Sequence, residues 1–191
     1  LSQELWINRK RMAALLHGPV QASLYAAAMG MSQTSNPSAQ YLAKVQKDIE
    51  GALEQLTNPN RLESETLLSV LNQIKDLWSD SVQIKISIPP ELEQEITNEP
   101  LTCESAIELT RELVTNSIKH GKATKVDINI STIDLGRFSV EVLDNGQAPD
   151  KDANSGYGTK VLNELSLNWN RTRSGDTTRA YAEMVLAGGS V

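Results

Sequence analysis

The sequence predicts an α+β protein in which an N-terminal helical hairpin precedes a two-layer α/β sandwich. Up to about residue 57, apolar residues recur at three- and four-residue spacing, as on helices. Over residues 82–88 they alternate strictly with polar ones, the period of a half-buried strand. Helical and strand-like runs then interleave, and the turn-rich Asn58-Pro59-Asn60 divides the chain into residues 1–60 and 61–191.

Taken in order, the first helix covers about residues 3–32, where Ala13, Leu16, Val20, Leu24, Ala27 and Met31 make one apolar stripe. Asn36-Pro37-Ser38 breaks it. A second helix carries Leu42, Val45, Ile49, Ala52 and Leu56 at heptad spacing, so the two pair as an antiparallel hairpin. Two amphipathic helices leave much apolar surface wet. The narrow second stripe favours a homodimeric four-helix bundle over a hairpin folded back on its own downstream domain. A helix over about 64–78 follows, then the strand 82–88, ended by Pro89-Pro90. A long helix covers 102–121, with Thr102 as its N-cap and Gly121 as its stop. Strands near 126–133 and 138–143, a short helix after Gly158, and strands near 167–171 and 178–186 complete the order.

Composition excludes several classes. With 24 acidic against 18 basic residues and a net charge of -6, the chain lacks the clustered positive surface that nucleic acid or an acidic membrane requires. Arg9-Lys10-Arg11 is too short to change that. The single Cys103 permits neither an intramolecular disulfide nor a cysteine metal cluster and reads as a packed thiol, which suits a cytoplasmic location. No apolar run approaches the roughly 20 residues that span a bilayer, so no membrane contact is expected of this segment. A chain that starts at Leu1 in helix-like sequence reads as a fragment of a longer protein.

Three short segments carry chemistry. On the helix over 102–121, Glu112, Asn116, Lys119 and His120 fall at i, i+4, i+7 and i+8, on one face, with Ile107, Val114 and Ile118 opposite. An amide oxygen there can ligate a hard cation, and the cationic groups can meet phosphates. Alone, this reads first as an ordinary solvated helix face. Asp144-Asn145-Gly146 ends a strand, where a carboxylate can accept from an amino group such as that of adenine and the glycine permits close backbone approach. Gly156-Tyr157-Gly158 precedes a helix whose exposed N–H groups favour phosphate. Taken singly, Asp-Asn-Gly is more often just a turn, and the glycine pair is a weak signal by itself.

In this order and spacing the segments resemble the ATP-binding domain of sensor histidine kinases, within the superfamily shared with gyrase and MutL ATPases. The resemblance covers about residues 62–191. Residues 112–120 look like the N box, 144–146 like the G1 box and 156–158 like the G2 box. The resemblance implies that Asn116 coordinates Mg2+, that Asp144 binds the adenine amino group and that Gly146 supports the adenine pocket. It implies Glu112 near the metal or the attacking group, Lys119 and His120 near the phosphates, and Gly156 and Gly158 as anchors of the lid. Thr177 is similar to the threonine that joins the adenine network. The G1 box departs from the family after Gly146: Gln147-Ala148-Pro149 stands where a second glycine is usual. Reduced nucleotide affinity and a compact lid are expected.

Upstream, His17 lies at the edge of the apolar stripe, one turn before Gln21. Pro19 removes a helical N–H and should bend the helix beside the histidine. With the ATP domain downstream, the run from Arg9 to His17 resembles the dimerisation and phosphoacceptor helix of a histidine kinase, and residues 1 to about 60 carry this weaker match. Gly18 stands where most such kinases have Asp or Glu. Gln21 resembles the residue that positions water for hydrolysis of a partner's phosphoaspartate.

The resemblance therefore implies a dimeric kinase core that binds ATP and Mg2+, phosphorylates His17 and passes the phosphoryl group to a response-regulator receiver domain. It is expected in the cytoplasm, alone or as the inner part of a membrane-attached sensor. A nucleotide-binding pseudokinase that signals by conformation is the alternative. A related ATPase or serine kinase fits less well, because neither requires a histidine-bearing dimer helix.

Overall fold

The structure, a computed structural model, describes residues 16–33, 36–57, 66–147 and 157–186. The side chains of Leu16, His17, Leu56 and Tyr157 lie outside the description, as do Ala13 and Gly156 altogether. The chain divides into two compact units, Leu1–Glu63 and Ser64–Val191.

In the first unit a π-helical turn, Leu16–Val20, contains Pro19 and leads into α1, Gln21–Ser32. Proline supplies no N–H and crowds the carbonyl one turn back, and a widened turn accommodates both effects. Helix α2, Ala39–Thr57, packs back on α1 and on the π-helical turn. Ser38 opens α2, its Oγ accepting from the Tyr41 N–H at 3.1 Å. The face that α1 buries is made of small residues, Ala22, Ser23, Ala27 and Gly30. Gly30 is needed because a Cβ there would fall 1.9 Å from the Tyr41 hydroxyl, which donates to the Ala27 carbonyl at 3.2 Å. Of the expected stripe, Ala27 is buried within the hairpin, whereas Leu24 and Met31 stay exposed in the single chain. Leucine and methionine would hold the helices further apart than this close contact allows.

The second unit is a five-stranded sheet in the order β1-β2-β3-β5-β4, with β1 Gln83–Ser87, β2 Lys125–Asp134, β3 Arg137–Asp144, β4 Asn168–Ser174 and β5 Thr177–Val185. Only the β1–β2 pair is parallel. Helices α3, Leu67–Trp78, and α5, Pro100–Lys119, pack on the sheet. They meet an inner layer that includes Ile84, Ile128, Ile130, Phe138, Val140, Val142, Ala180 and Ala182, all buried. Alternate residues make a polar outer face. There Glu141 accepts from Asn129 Nδ2 at 3.3 Å and from Arg179 Nε at 2.5 Å, and the Arg179 guanidinium lies 4.5 Å from the centre of the Tyr181 ring. The α+β expectation therefore holds, as a mixed sheet with its helices on one side.

Two helical boundaries differ from expectation. Helix α4, Pro90–Thr97, follows the strand where only a break was expected. Proline suits the first helical turn, Glu91 and Glu93 favour its N-terminal dipole, and Leu92 and Ile96 are buried one turn apart. Helix α5 starts at Pro100 with Glu99 at the cap position, so Thr102 is not the N-cap. Its hydroxyl instead donates to Glu99 Oε2 at 2.9 Å.

Candidate functional site

The site forms where the C-terminal half of α5 meets the end of β3. Val126 pairs with Asp144 in the β2–β3 register, and the alternation places Asp144 on the inner face, 5 % exposed. A carboxylate so placed needs hydrogen bonds. Its Oδ2 accepts from Ser117 Oγ at 2.7 Å and its Oδ1 from the Gly146 N–H at 2.8 Å. Each oxygen retains acceptor capacity.

The backbone around Asp144 is held from two sides. Helix α5 ends by turning back, with the Gly121 N–H bonded to the Asn116 carbonyl and the Ala123 N–H to the Ser117 carbonyl, both at 3.1 Å. Lys122 adopts φ 55° in this turn. The Gly121 carbonyl then accepts from the Gln147 N–H at 2.5 Å. Gly146 passes so close that a Cβ would sit 2.5 Å from the Gly121 oxygen, which is backbone and cannot rotate away. Asn145 ties the same loop to β2, its Oδ1 accepting from the Thr124 and Lys125 N–H groups at 2.9 and 2.8 Å.

One turn up α5, Asn116 Nδ2 donates to Glu112 Oε1 at 2.7 Å. Helix α6, Tyr157–Leu165, opens against this pair: a Cβ on Gly158 would lie 1.8 Å from Glu112 Oε1 and 3.3 Å from Asn116 Nδ2. Lys119 closes α5 and His120 follows as its C-cap. Loss of solvent and the Lys119 ammonium lower the His120 pKa, with Arg171 and Lys122 acting the same way and Glu112 opposing.

Asn116 spends its amide N–H on Glu112, so its oxygen stays an acceptor, and with the Glu112 carboxylate it offers hard donors of the type Mg2+ takes. Among the described residues no group of three or more His, Cys, Asp or Glu could hold a metal by itself. The donor set fits an ion that completes its shell with phosphate oxygens and water.

Of the residues expected from the sequence, Glu112, Asn116, Asp144, Gly146 and Gly158 are gathered around the end of α5, with Lys119 and His120 at that end. Thr177 is not beside Asp144. It is exposed and pairs with Ser174, whereas Thr178, 4 % exposed, is the cross-strand partner of Asp144. Adjacent strand residues face opposite ways, so a one-residue difference decides which threonine reaches the site. Gly156 lies outside the described residues, His17 occupies the π-helical turn and Gln21 begins α1. Ser117, Asn145, Thr178 and Arg173 were not foreseen. Ser117 sits one position after Asn116, and only the helix face turned to β3 distinguishes it.

No protein-family model matches the chain. The sensor protein VraS of Staphylococcus saprophyticus is 28% identical over 174 residues, covering 84% of this chain and 49% of its own length. VraS of Staphylococcus aureus strain COL is 25% identical over 173 residues with the same coverage. The chain thus spans about half the length of the curated relatives it matches. Its fold is that of the Erythrobacter litoralis EL346 blue-light activated histidine kinase, with a TM-score of 0.54 at 16% identity, over 94% of this chain and 60% of that one. Among the described residues, no helix is long and apolar enough to cross a membrane. Helices first and a five-stranded α/β layer second, the chain shares the fold of that histidine kinase and is similar in sequence to the VraS sensor proteins.

Proposed function

We propose that the second unit binds ATP with Mg2+ and that the chain, as a homodimer, transfers the γ-phosphoryl group to His17 and then to an aspartate of a response-regulator receiver domain. The observation that carries this reading is Asp144: a buried carboxylate with both oxygens anchored, next to a loop that glycine keeps close, suits an exocyclic amino group. Thr178 adds a hydroxyl beside it. Asn116 and Glu112 would hold the cation, Lys119 and His120 would face phosphate oxygens, and Gly156 and Gly158 would flank the lid. In the transfer an imidazole nitrogen of His17 bonds to the γ-phosphorus, the bond to the β–γ bridging oxygen breaks, and ADP leaves with that electron pair. Gln21 would place water for the reverse traffic, hydrolysis of the regulator's phosphoaspartate. The setting is cytoplasmic, as part of a longer sensor.

Incubation with γ-labelled ATP tests this. Acid-labile label that disappears in His17→Gln is expected; no label, or label that survives the substitution, overturns the kinase reading. Gly18 favours a second reading, since it supplies no carboxylate to orient or deprotonate the neighbouring imidazole. In that reading the core binds nucleotide and signals by conformation. Calorimetric ATP binding abolished by Asp144→Ala, without phosphohistidine, would select it.

A further inference from the structure

Strand β4 reaches the site through Arg173. The register places Arg173 opposite Thr178 on β5, and Thr178 opposite Asp144 on β3, so the three residues form one row across adjacent strands on the inner face. Arg173 Nη1 donates to Thr178 Oγ1 at 2.9 Å and to the Gly146 carbonyl at 2.6 Å. Two N–H groups on one nitrogen are thereby both used. The peptide that joins Gly146 to Gln147 is consequently held at both ends: its oxygen by Arg173 and its N–H by the Gly121 carbonyl. This is the peptide at which the sequence continues Gln147-Ala148-Pro149 in place of a second glycine.

We propose that Arg173 is the positioning residue of the adenine side of the site, fixing the Gly146–Gln147 peptide so that the loop after Asp144 is formed before nucleotide arrives. The inference rests on the nucleotide reading above. A guanidinium is suited to the task because it is always charged and its paired N–H groups have fixed directions, so one nitrogen can join a loop carbonyl to a strand hydroxyl. A loop fixed in advance loses less conformational entropy on binding, so the effect should appear as affinity for the base-bearing part of the ligand. Phosphate contacts, by contrast, belong to the α5 end of the site.

The test uses the whole chain as wild type, Arg173→Ala and Arg173→Lys, with ADP and ATP titrated calorimetrically and amide hydrogen exchange followed without ligand. Removing a charged donor from the loop carbonyl should weaken both nucleotides by about tenfold and equally, leaving their ratio unchanged. Arg173→Lys should recover part of the loss, and exchange at the Gln147 N–H should accelerate in Arg173→Ala. A merely structural role gives another result: fewer binding-competent molecules, read as reduced stoichiometry, at unchanged Kd, and this would overturn the proposal. Unaltered exchange at Gln147 overturns it too. If wild type binds neither nucleotide, the proposed function falls and the affinity half of this proposal with it, and the exchange result then reports separately on the loop.

Discussion

Asp144 concentrates the chemistry of the site at the residue scale. Its two oxygens receive hydrogen bonds from a side chain 27 residues upstream and from a backbone N–H two residues on. Asp144→Asn should therefore be costly out of proportion to its size, since the new amide N–H group meets one of these donors or the ligand's amino group. A loss of about 2 kcal/mol, or about thirtyfold in ATP affinity, is expected by calorimetry. His120 makes a pH prediction. Loss of solvent and Lys119 push its pKa below 6.5, so in the window below 6.5 the unfolded chain takes up a proton before the folded one does. This contribution to stability is present above 6.5 and lost as pH falls through the folded pKa. Urea midpoints should fall over that window in wild type and less in His120→Gln. If a phosphate lies beside the ring, as proposed, it favours the imidazolium, and saturating ADP should flatten the wild-type curve. The helical repeat alone aligns Glu112 with Asn116, but a place in a site for them and for Asp144 could be read only from the order of the three segments and the resemblance it carries. Ser117 and Arg173 could not be read that way, since nothing local separates them from other serines and arginines.

At the scale of elements, the start of α6 lies against the acid and amide of α5. In Gly158→Ala the new methyl would overlap the Glu112 carboxylate end, which can swing aside because it is the far end of a flexible side chain. Stability should change by less than about 1 kcal/mol in thermal unfolding. The Glu112–Asn116 bond should not survive that movement, so the expected signature is weaker ATP binding in the presence of Mg2+ with little change for ADP in its absence. Helix α4 shows why some elements were missed. Pro89-Pro90 reads locally as an end, and the same prolines suit a first helical turn once Leu92 and Ile96 have a core to enter. Thr102 shows the converse: a good capping residue was passed over because Pro100 had already begun α5. Propensity names residues able to do a job, and packing selects which of them does it.

At the scale of the whole molecule, the first unit leaves Leu24 (53%), Met31 (43%), Leu42 (46%) and Leu53 (47%) exposed. Covering the half of each side chain that is still exposed contributes about 1 kcal/mol apiece, and a second copy would do so in the proposed bundle. Leu24→Glu with Leu53→Glu should convert a dimer to a monomer in sedimentation velocity while far-ultraviolet circular dichroism is retained; a wild-type chain already monomeric at tens of micromolar would sink the bundle. The sequence by itself determined the α+β class, the succession of helices and strands apart from α4, and the order of the three site segments. Those are properties of periodicity and order along one dimension. Only the tertiary structure decided that Ala22, Ser23, Ala27 and Gly30 close the hairpin, that Thr178 rather than Thr177 stands beside Asp144, and that Arg173 reaches the loop at Gly146. Such pairings depend on helix separation and strand register, and a register shift of one residue turns every side chain to the other face while the local pattern stays nearly the same.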